Sequence, residues 1–245
     1  MKKPMDRQQV DAELQQVVEL RHPEPHRVLG IHPDGDAMVV RAWRPDAVSI
    51  HVLPEFGGRI PMTHRLGGVF EARLNGRSEA FPYLLEVEYP GNKTFTLRDP
   101  YSFLPTLGDM DLYLAGEGRH EQLWERMGSH PIHHNGISGV AFAVWAPTAA
   151  GVSVVGDFNS WDGRLHAMRR MGASGIWEIF IPGVGEGTRY KFEIRPGHGG
   201  TRLLKSVPYA FRTEVPPATA SVVHDLNHFQ WTDEKWMEAR RGKNV

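Results

Sequence analysis

The spacing of apolar residues changes after the first twenty positions of this chain. Near the amino terminus, apolar residues recur at helical spacing: Val10, Leu14, Val17 and Val18. This spacing predicts one short amphipathic helix over residues 6–20, which ends before Pro23. From about residue 28 onward, short runs alternate between apolar and polar residues and are punctuated by glycine and proline, a texture typical of β-sandwich modules.

Few further helices are expected. A short one is predicted at residues 121–127, within a charged and glycine-rich segment, and a helical tail is predicted to begin with Phe229-Gln230-Trp231 and to take Thr232 or Asp233 as its N-cap. The rest of the chain therefore reads as β-structure.

An internal repeat organises the β-rich part. Trp43-Arg44-Pro45 and Trp145-Ala146-Pro147 lie 102 residues apart, and the same offset relates Ile50 to Val152 and Val52 to Val154. The offset becomes 107 for residues 68–71 and 175–178 and for residues 83–86 and 190–193, and 108 for residues 100–103 and 208–211. Several matching segments in the same order indicate a duplicated module. Two long copies predict two similar domains side by side.

The predicted fold is therefore all-β, with two tandem immunoglobulin-like β-sandwich domains, a short N-terminal helix and a C-terminal helical tail. The expected boundaries are residues 1–114 for the helix and first sandwich, 115–136 for a connector, 137–225 for the second sandwich and 226–245 for the tail. Alternation along residues 177–181 places Trp177 in the core, whereas Lys191, Glu193 and Arg195 are expected to point outward.

Composition narrows the range of functions. The 245 residues are 40% hydrophobic and 23% charged, with a formal net charge of -1, so no basic surplus points to nucleic acid as a partner. There is no 18-residue apolar stretch, so we expect no membrane partner. No apolar run follows the first lysines, so we expect no signal peptide. The absence of cysteine suits a reducing compartment, so we expect a cytoplasmic protein.

One turn breaks the pattern of the strands around it. The run Gly156-Asp157-Phe158-Asn159-Ser160-Trp161-Asp162-Gly163 follows a β-branched strand and carries a tryptophan at its tip. The ring either folds back onto its own sandwich or forms a platform for a ligand with a flat apolar face and hydroxyl groups at its rim, such as a sugar. The first copy has Arg59, Gly57 and Leu84 at the positions of Trp161, Asn159 and Lys191. The first copy therefore lacks all three side chains, which is expected if they serve a ligand and not the fold.

Other candidate motifs carry less weight. His130, His133 and His134 lie in the expected connector with no register that would make them converge, so we expect no metal site. The glycines of residues 183–187 precede an alternating strand, which favours a loop between strands over a phosphate loop. No acid/base pair, catalytic residue or cofactor motif is recognisable, and Glu193 is one of several carboxylates expected in solvent.

Several segments together resemble a known family. Residues 156–163, 175–183, 190–193 and 208–211 closely resemble the glycogen-binding type of carbohydrate-binding module in bacterial glycogen branching enzymes. Residues 28–33 and 128–130 look like the first amino-terminal domain and the connector of the same enzymes. The resemblance implies that Trp161 stacks on glucose, that Lys191 reaches a sugar hydroxyl and that Asn159 shapes the loop. Residues 196–201 lack the second tryptophan that some glycogen-targeting members carry.

The resemblance also implies what the chain is not. Complete enzymes of this family are similar to alpha-amylases: a (β/α)8 barrel of about 250 residues breaks an α-1,4 glucan and rejoins it as an α-1,6 branch. The motifs of that barrel are missing here, so we expect a non-catalytic amino-terminal part, inactive alone, whose partners are α-1,4-glucan or glycogen and the catalytic barrel. Two alternatives stay open: domains that only brace the barrel, and a freestanding glycogen-targeting module.

Overall fold

A computed structural model describes residues 6–228 and 231–241 of the chain. The helices are α1 (Arg7–Val18), α2 (Asp109–Gly116) and α3 (Glu234–Arg241). The 3-10 turns are Pro25–Arg27, Pro100–Ser102, Leu123–Glu125, Asp157–Asn159 and Leu226–His228.

The described residues contain seventeen strands. They are β1 (Gly30–Asp34), β2 (Ala37–Trp43), β3 (Ser49–Pro54), β4 (Ile60–Pro61), β5 (Thr63–His64), β6 (Val69–Asn75), β7 (Tyr83–Tyr89), β8 (Lys93–Arg98), β9 (Gly128–His134), β10 (Ile137–Trp145), β11 (Ala149–Gly156), β12 (Arg169–Arg170), β13 (Ile176–Pro182), β14 (Arg189–Pro196), β15 (Leu203–Lys205), β16 (Arg212–Thr213) and β17 (Ser221–Val222).

The strands form two antiparallel sandwiches. In the first, the sheets β1-β2-β6-β5 and β4-β3-β7-β8 contribute to one buried apolar cluster that joins Val40 and Phe70 to Val52 and Leu85. In the second, β12-β13-β10-β9 packs on β11-β14-β17-β16, with β15 paired to β14. The predicted all-β fold with two tandem sandwiches is confirmed.

The strand register follows the internal repeat. Ile50 on β3 pairs with Val87 on β7, and Val152 on β11 pairs with Ile194 on β14, so each partner is shifted by the offset found in the sequence. Trp177 is 1% exposed, as its alternation predicts. Apolar alternation was sufficient to predict which side chains face the core, because each strand has one face in a core. A shift of the register by one residue would expose every apolar side chain on that face.

The duplication also reaches further toward the amino terminus than the sequence analysis found. Leu29-Gly30-Ile31-His32-Pro33 and Met127-Gly128-Ser129-His130-Pro131 lie 98 residues apart and begin equivalent edge strands, β1 and β9. Both glycines have positive φ, +87° and +95°, and a Cβ would lie 2.5 Å and 2.7 Å from the carbonyl oxygens of Tyr101 and Tyr209. Only glycine allows that approach. Residues 128–134 are thus a strand of the second sandwich and not an irregular connector. The expectation that His130, His133 and His134 have no regular register was wrong.

A helix and a 3-10 turn are repeated as well. Pro25–Arg27 and Leu123–Glu125 are 98 residues apart, and the carboxyl ends of α1 and α2 are separated by the same number. The helix α2 was not predicted, and the helix expected at residues 121–127 is a single 3-10 turn.

Helix α1 is shared between the sandwiches. Asp6 caps it in a capping box with Gln9, and its apolar side chains are buried in the same cluster as the core of the second sandwich: Val10, Leu14 and Val17. Its observed bounds fall within the predicted 6–20. Trp43, from the first sandwich, belongs to this cluster and is 2% exposed. The two sandwiches therefore share an apolar core.

Charged groups are also buried, contrary to expectation at one position. Glu193 was expected in solvent but is 1% exposed and pairs with Arg195 and Arg202. Glu178 is fully buried and pairs with Arg169.

The carboxyl-terminal helix was correctly expected. Its first described main-chain bond runs from the Met237 N–H to the Asp233 carbonyl at 2.9 Å, which agrees with a start near Asp233. Phe229 and Gln230, with which the predicted tail begins, lie outside the described residues.

Candidate functional site: the Trp161 turn

The turn that carries Trp161 has an unusual backbone. It begins where β11 ends and passes through the 3-10 turn Asp157–Asn159 into two consecutive left-handed residues, Ser160 at φ 53° and Trp161 at φ 61°. Non-glycine residues rarely adopt this conformation, at a cost of about 1–3 kcal/mol each. The Trp161 N–H donates to the Gly156 carbonyl at 3.0 Å, which holds the tryptophan at the tip of the turn.

Asn159 lies beneath the tip and is 4% exposed. Its Oδ1 accepts from the Gly156 N–H at 2.9 Å, and its Nδ2 donates to the Val154 carbonyl at 2.9 Å and to His166 Nδ1 at 2.9 Å. The main-chain partners fix which way the amide points, because an N–H can only donate and a carbonyl can only accept. Both amide donors and one acceptor direction of the oxygen are thus engaged inside the turn, a geometry that fits a loop-shaping residue.

His166 is the buried support of that amide. Because Nδ1 accepts from Asn159, the neutral ring carries its proton on Nε2. Burial, with a smaller contribution from the cation of Arg44, lowers the pKa of His166 to about 3. The ring therefore stays neutral at physiological pH.

The Trp161 side chain is 38% exposed and belongs to neither sandwich core. Asp157, four residues earlier, is the first residue of the 3-10 turn that leads to it. Arg189 binds the carboxylate of Asp157 with two donors, at 2.9 Å and 3.1 Å, and these bonds lower the pKa of Asp157 below its usual range. The Asp157–Arg189 ion pair thus ties the start of the turn to β14, while Trp161 remains partly in solvent.

Lys191 projects from the same side of the sheet. It lies on β14 two residues before Glu193, so the two side chains share a face, and that face is the one covered by the turn at Gly163, where a Cβ would collide with the Glu193 carboxylate. Its Nζ donates to Thr219 Oγ1 at 2.6 Å, which leaves two of the three ammonium donors. Lys191 and the turn at Gly163 therefore lie on the same face of this sheet.

Two residues that the sequence analysis did not single out join the turn to the first sandwich. Arg164 binds Asp162 within the turn and reaches Asp46 of the first sandwich at 2.6 Å. The Arg–Asp spacing of two residues was visible in the sequence, but the partner in the other sandwich was not.

The corresponding turn of the first sandwich is built differently. Phe56, which matches Phe158 in the repeat, is 48% exposed, and the Arg77 guanidinium covers its ring at 3.9 Å from the centroid. Arg59, at the position of Trp161, pairs with Glu86 at 2.7 Å. The exposed indole is thus a feature of the second copy.

The histidines of β9 are engaged in hydrogen bonds with neighbouring residues. The three histidines on β9 bind Met127, Ser138 and Leu104 respectively. Across residues 6–228 and 231–241, no group of three or more potential ligands is arranged to hold a metal ion. Within the same ranges, no helix is both long and apolar enough to cross a bilayer.

Two β-sandwiches lie in tandem, and the second carries a partly exposed tryptophan on a strained turn. Residues 126–210 match the model of carbohydrate-binding module 48 (isoamylase N-terminal domain), and residues 10–101 match the N-terminal domain of alpha-1,4-glucan branching enzyme GlgB. The chain is thus similar to the amino-terminal region of branching enzymes, with each of the two models matching one of its sandwiches.

Full-length relatives agree with that assignment. The 1,4-alpha-glucan branching enzyme GlgB of Myxococcus xanthus is 76% identical over 240 residues, which are 98% of this chain and 33% of the relative. That of Protochlamydia amoebophila is 44% identical, over 96% of this chain and 32% of the relative. This chain thus spans about a third of the length of the curated relatives it matches. A pullulanase type I structure from Bacillus subtilis, complexed with maltose, is 16% identical over 83% of this chain and 27% of its own, at a TM-score of 0.36, too low to support an argument.

Proposed function

We propose that this chain is the non-catalytic, glucan-binding part of a glycogen branching enzyme and that Trp161 is its sugar platform. The observation that carries the proposal is the exposure of an indole on a turn whose backbone is strained at two residues in succession. Strain of this kind persists where the surrounding structure enforces it, and it clusters at ligand sites. The bonds of Asn159 to Gly156, Val154 and His166 supply that enforcement here.

The chemistry of the site fits an α-1,4-glucan. A glucose ring offers an apolar face that can lie on the indole and hydroxyl groups that can accept from an ammonium. Lys191 has donors left for such hydroxyls on the same side of the sheet. The whole enzyme would break α-1,4 links and form α-1,6 branches in glycogen biosynthesis, in the cytoplasm and with a catalytic barrel that this chain lacks. The chain alone should therefore bind glucan without branching it and needs no cofactor.

Titration of maltoheptaose into wild type and Trp161→Ala tests the platform. Loss of one stacked ring should cost about 1–2 kcal/mol, or roughly tenfold in affinity or somewhat more. Trp145→Ala is the matched control, because Trp145 lies on the same sandwich, is 64% exposed and donates its indole N–H at 3.2 Å to a carbonyl, yet is not on the turn. It should bind like wild type.

Equal affinities of wild type and Trp161→Ala, with both proteins folded, would remove the platform. If wild type itself bound no soluble glucan while its addition to an isolated catalytic barrel restored branching, the domains would only brace the barrel.

A further inference from the structure

The apolar cluster beneath α2 has a counterpart in the first copy. α2 packs on this cluster of the second sandwich through Leu112 and Ala115. At the offsets of the repeat, its residues correspond to residues of the first copy that are buried in the shared core. The matched pairs are Leu14 and Leu112, Val17 and Ala115, Leu29 and Met127, Val69 and Ile176, and Tyr101 and Tyr209. The two clusters are therefore two copies of one arrangement of a helix on a sandwich.

The two copies differ in what covers them. In the first copy, Leu14, Val17 and Tyr101 are at most 5% exposed, because they share a cluster with the core of the second sandwich. Their counterparts in the second copy are all only half-buried: Leu112, Ala115 and Tyr209. The cluster of the first copy thus continues into the next unit of the chain, whereas the cluster of the second copy reaches the surface of the described structure.

Large apolar side chains are exposed around the second cluster. Met110 and Tyr113 lie three residues apart on one side of α2 and are 68% and 60% exposed. Trp124, next to Leu123 of the same cluster, is 44% exposed and meets Phe211 edge-on, with ring centroids 6.2 Å apart. We call this surface the α2 face; with Leu226 it comprises Met110, Tyr113, Trp124, Phe211 and Leu226. Exposed apolar side chains grouped in this way mark an interaction surface.

A hollow of about 230 Å³ lies in the α2 face. Its walls include the side chains of Trp124, Phe211 and Leu226. The hollow is smaller than the pockets that enclose small ligands, which measure about 300–1,000 Å³. A single apolar side chain suits it better, and protein interfaces hold their anchor residues in hollows of this kind. The α2 face therefore fits a protein partner.

The first copy and the course of the chain indicate which protein covers this face. In the first copy, the equivalent cluster is covered by the body that comes next along the chain, the second sandwich. Residues 224–227, which follow β17, line the hollow, so a body attached after them is held beside the face. The matched region is 33% of the Myxococcus xanthus relative, whose remaining length is sufficient for a catalytic barrel.

We infer that the α2 face is the docking surface for the catalytic barrel, and that this contact repeats the way in which the second sandwich covers α1. The identity of the partner rests on the proposed function, whereas the choice of the face rests on the repeat. The α2 face lies on the sheet β12-β13-β10-β9, whereas the Trp161 turn leaves the opposite sheet after β11. Docking therefore leaves the sugar platform uncovered.

Hydrogen exchange followed by mass spectrometry tests the docking. It compares the isolated 245-residue chain with the complete branching enzyme, in which the barrel follows. Amides of residues 112–116 and 124–127 should exchange at least about tenfold more slowly in the complete enzyme, and those of residues 55–59 in the first sandwich should exchange equally in both. Equal exchange of α2 in both proteins would overturn the inference. Protection of α2 in the isolated chain that grew with protein concentration would assign the face to a second copy instead.

Tyr113→Lys disrupts the docking with little effect on the fold, because Tyr113 is exposed and lysine suits the last turn of a helix. In the complete enzyme it should return the exchange of α2 to within about twofold of the isolated chain, and Trp124→Lys should do the same. Val48→Lys is the matched control, since Val48 of the first sandwich is also 60% exposed, and it should keep the protection. Protection that survived both Tyr113→Lys and Trp124→Lys would refute the role of the face.

Glucan binding separates the failure of this inference from that of the proposed function. The Tyr113→Lys chain should bind maltoheptaose like wild type, because α2 and the Trp161 turn belong to opposite sheets. A complete enzyme that branched glucan but left α2 exchange unchanged would refute the docking alone. A complete enzyme that protected α2 but neither bound nor branched glucan would refute the proposed function and uphold the α2 face as the docking surface for the body that follows it.

Discussion

Replacement of Asn159 by alanine distinguishes a residue that builds the turn from one that binds sugar. The change leaves three groups without their partner: the Gly156 N–H, the Val154 carbonyl and the Nδ1 atom of His166. A buried polar group left unpaired costs about 1–3 kcal/mol, so the full sum is about 3–9 kcal/mol. Asn159 and His166 line a cavity of about 850 Å³, so water can take over some of the hydrogen bonds that the amide made. We therefore expect a loss of about 3 kcal/mol in the free energy of unfolding.

The assay is urea unfolding followed by tryptophan fluorescence, with thermal unfolding as a second measure. A loss of that size should lower the melting temperature by about 6–12 °C in a chain of this length. Asn75→Ala is the control, because Asn75 is exposed and accepts only from Arg73 at 3.1 Å, so it should unfold like wild type.

Glucan affinity is then measured on folded Asn159→Ala protein. It should fall because Trp161 is no longer held at the tip, even though Asn159 does not touch the sugar. A variant within about 1 kcal/mol of wild-type stability that nevertheless lost affinity would refute this reasoning and return Asn159 to direct contact with the ligand.

Two further predictions follow from buried charges and a buried ring. The pKa of His166 is about 3 in the folded chain and near its ordinary value of 6.5 when unfolded, so its stabilising contribution is complete above about pH 6.5 and declines as the pH falls toward 3. In acid titrations of stability, wild type should therefore lose about 1.4 kcal/mol per pH unit more than His166→Gln across this window, and parallel curves would contradict the assignment. Arg169→Met should cost about 3–5 kcal/mol in urea unfolding because it leaves the fully buried carboxylate of Glu178 without its cation, with only the donors of Thr106. Adding Glu178→Leu should recover much of the loss, and an additive double variant would show that the two side chains are not coupled.

The sequence was most informative where a local rule and the fold agree. Alternation and the repeat predicted which face of each strand is buried, and Trp177 lies in the core as expected. They could not predict the burial of Glu193, because the turn that covers it lies thirty residues earlier in the chain and touches it through Gly163. Periodicity describes one strand at a time and contains no information about what folds over it.

At the candidate site, too, the sequence predicted the local features but not the contacts with other parts of the fold. A tryptophan among turn-forming residues was enough to propose an exposed ring, and the structure leaves it 38% exposed. The direction of the Asn159 amide and the link from Arg164 to Asp46 depend on contacts outside the turn, which residue type does not specify. The Gly-x-His-Pro match between residues 30–33 and 128–131 was available in the sequence and would have moved the start of the second unit upstream of the assumed connector.

The position of α1 means that the unit of duplication and the unit of folding are different pieces of this chain. Leu14 and Trp43 are buried in a cluster that includes side chains of the second copy. Separating the two copies would therefore expose apolar surface on each half. Expression of the second sandwich by itself would therefore require a replacement for the apolar surface that α1 covers.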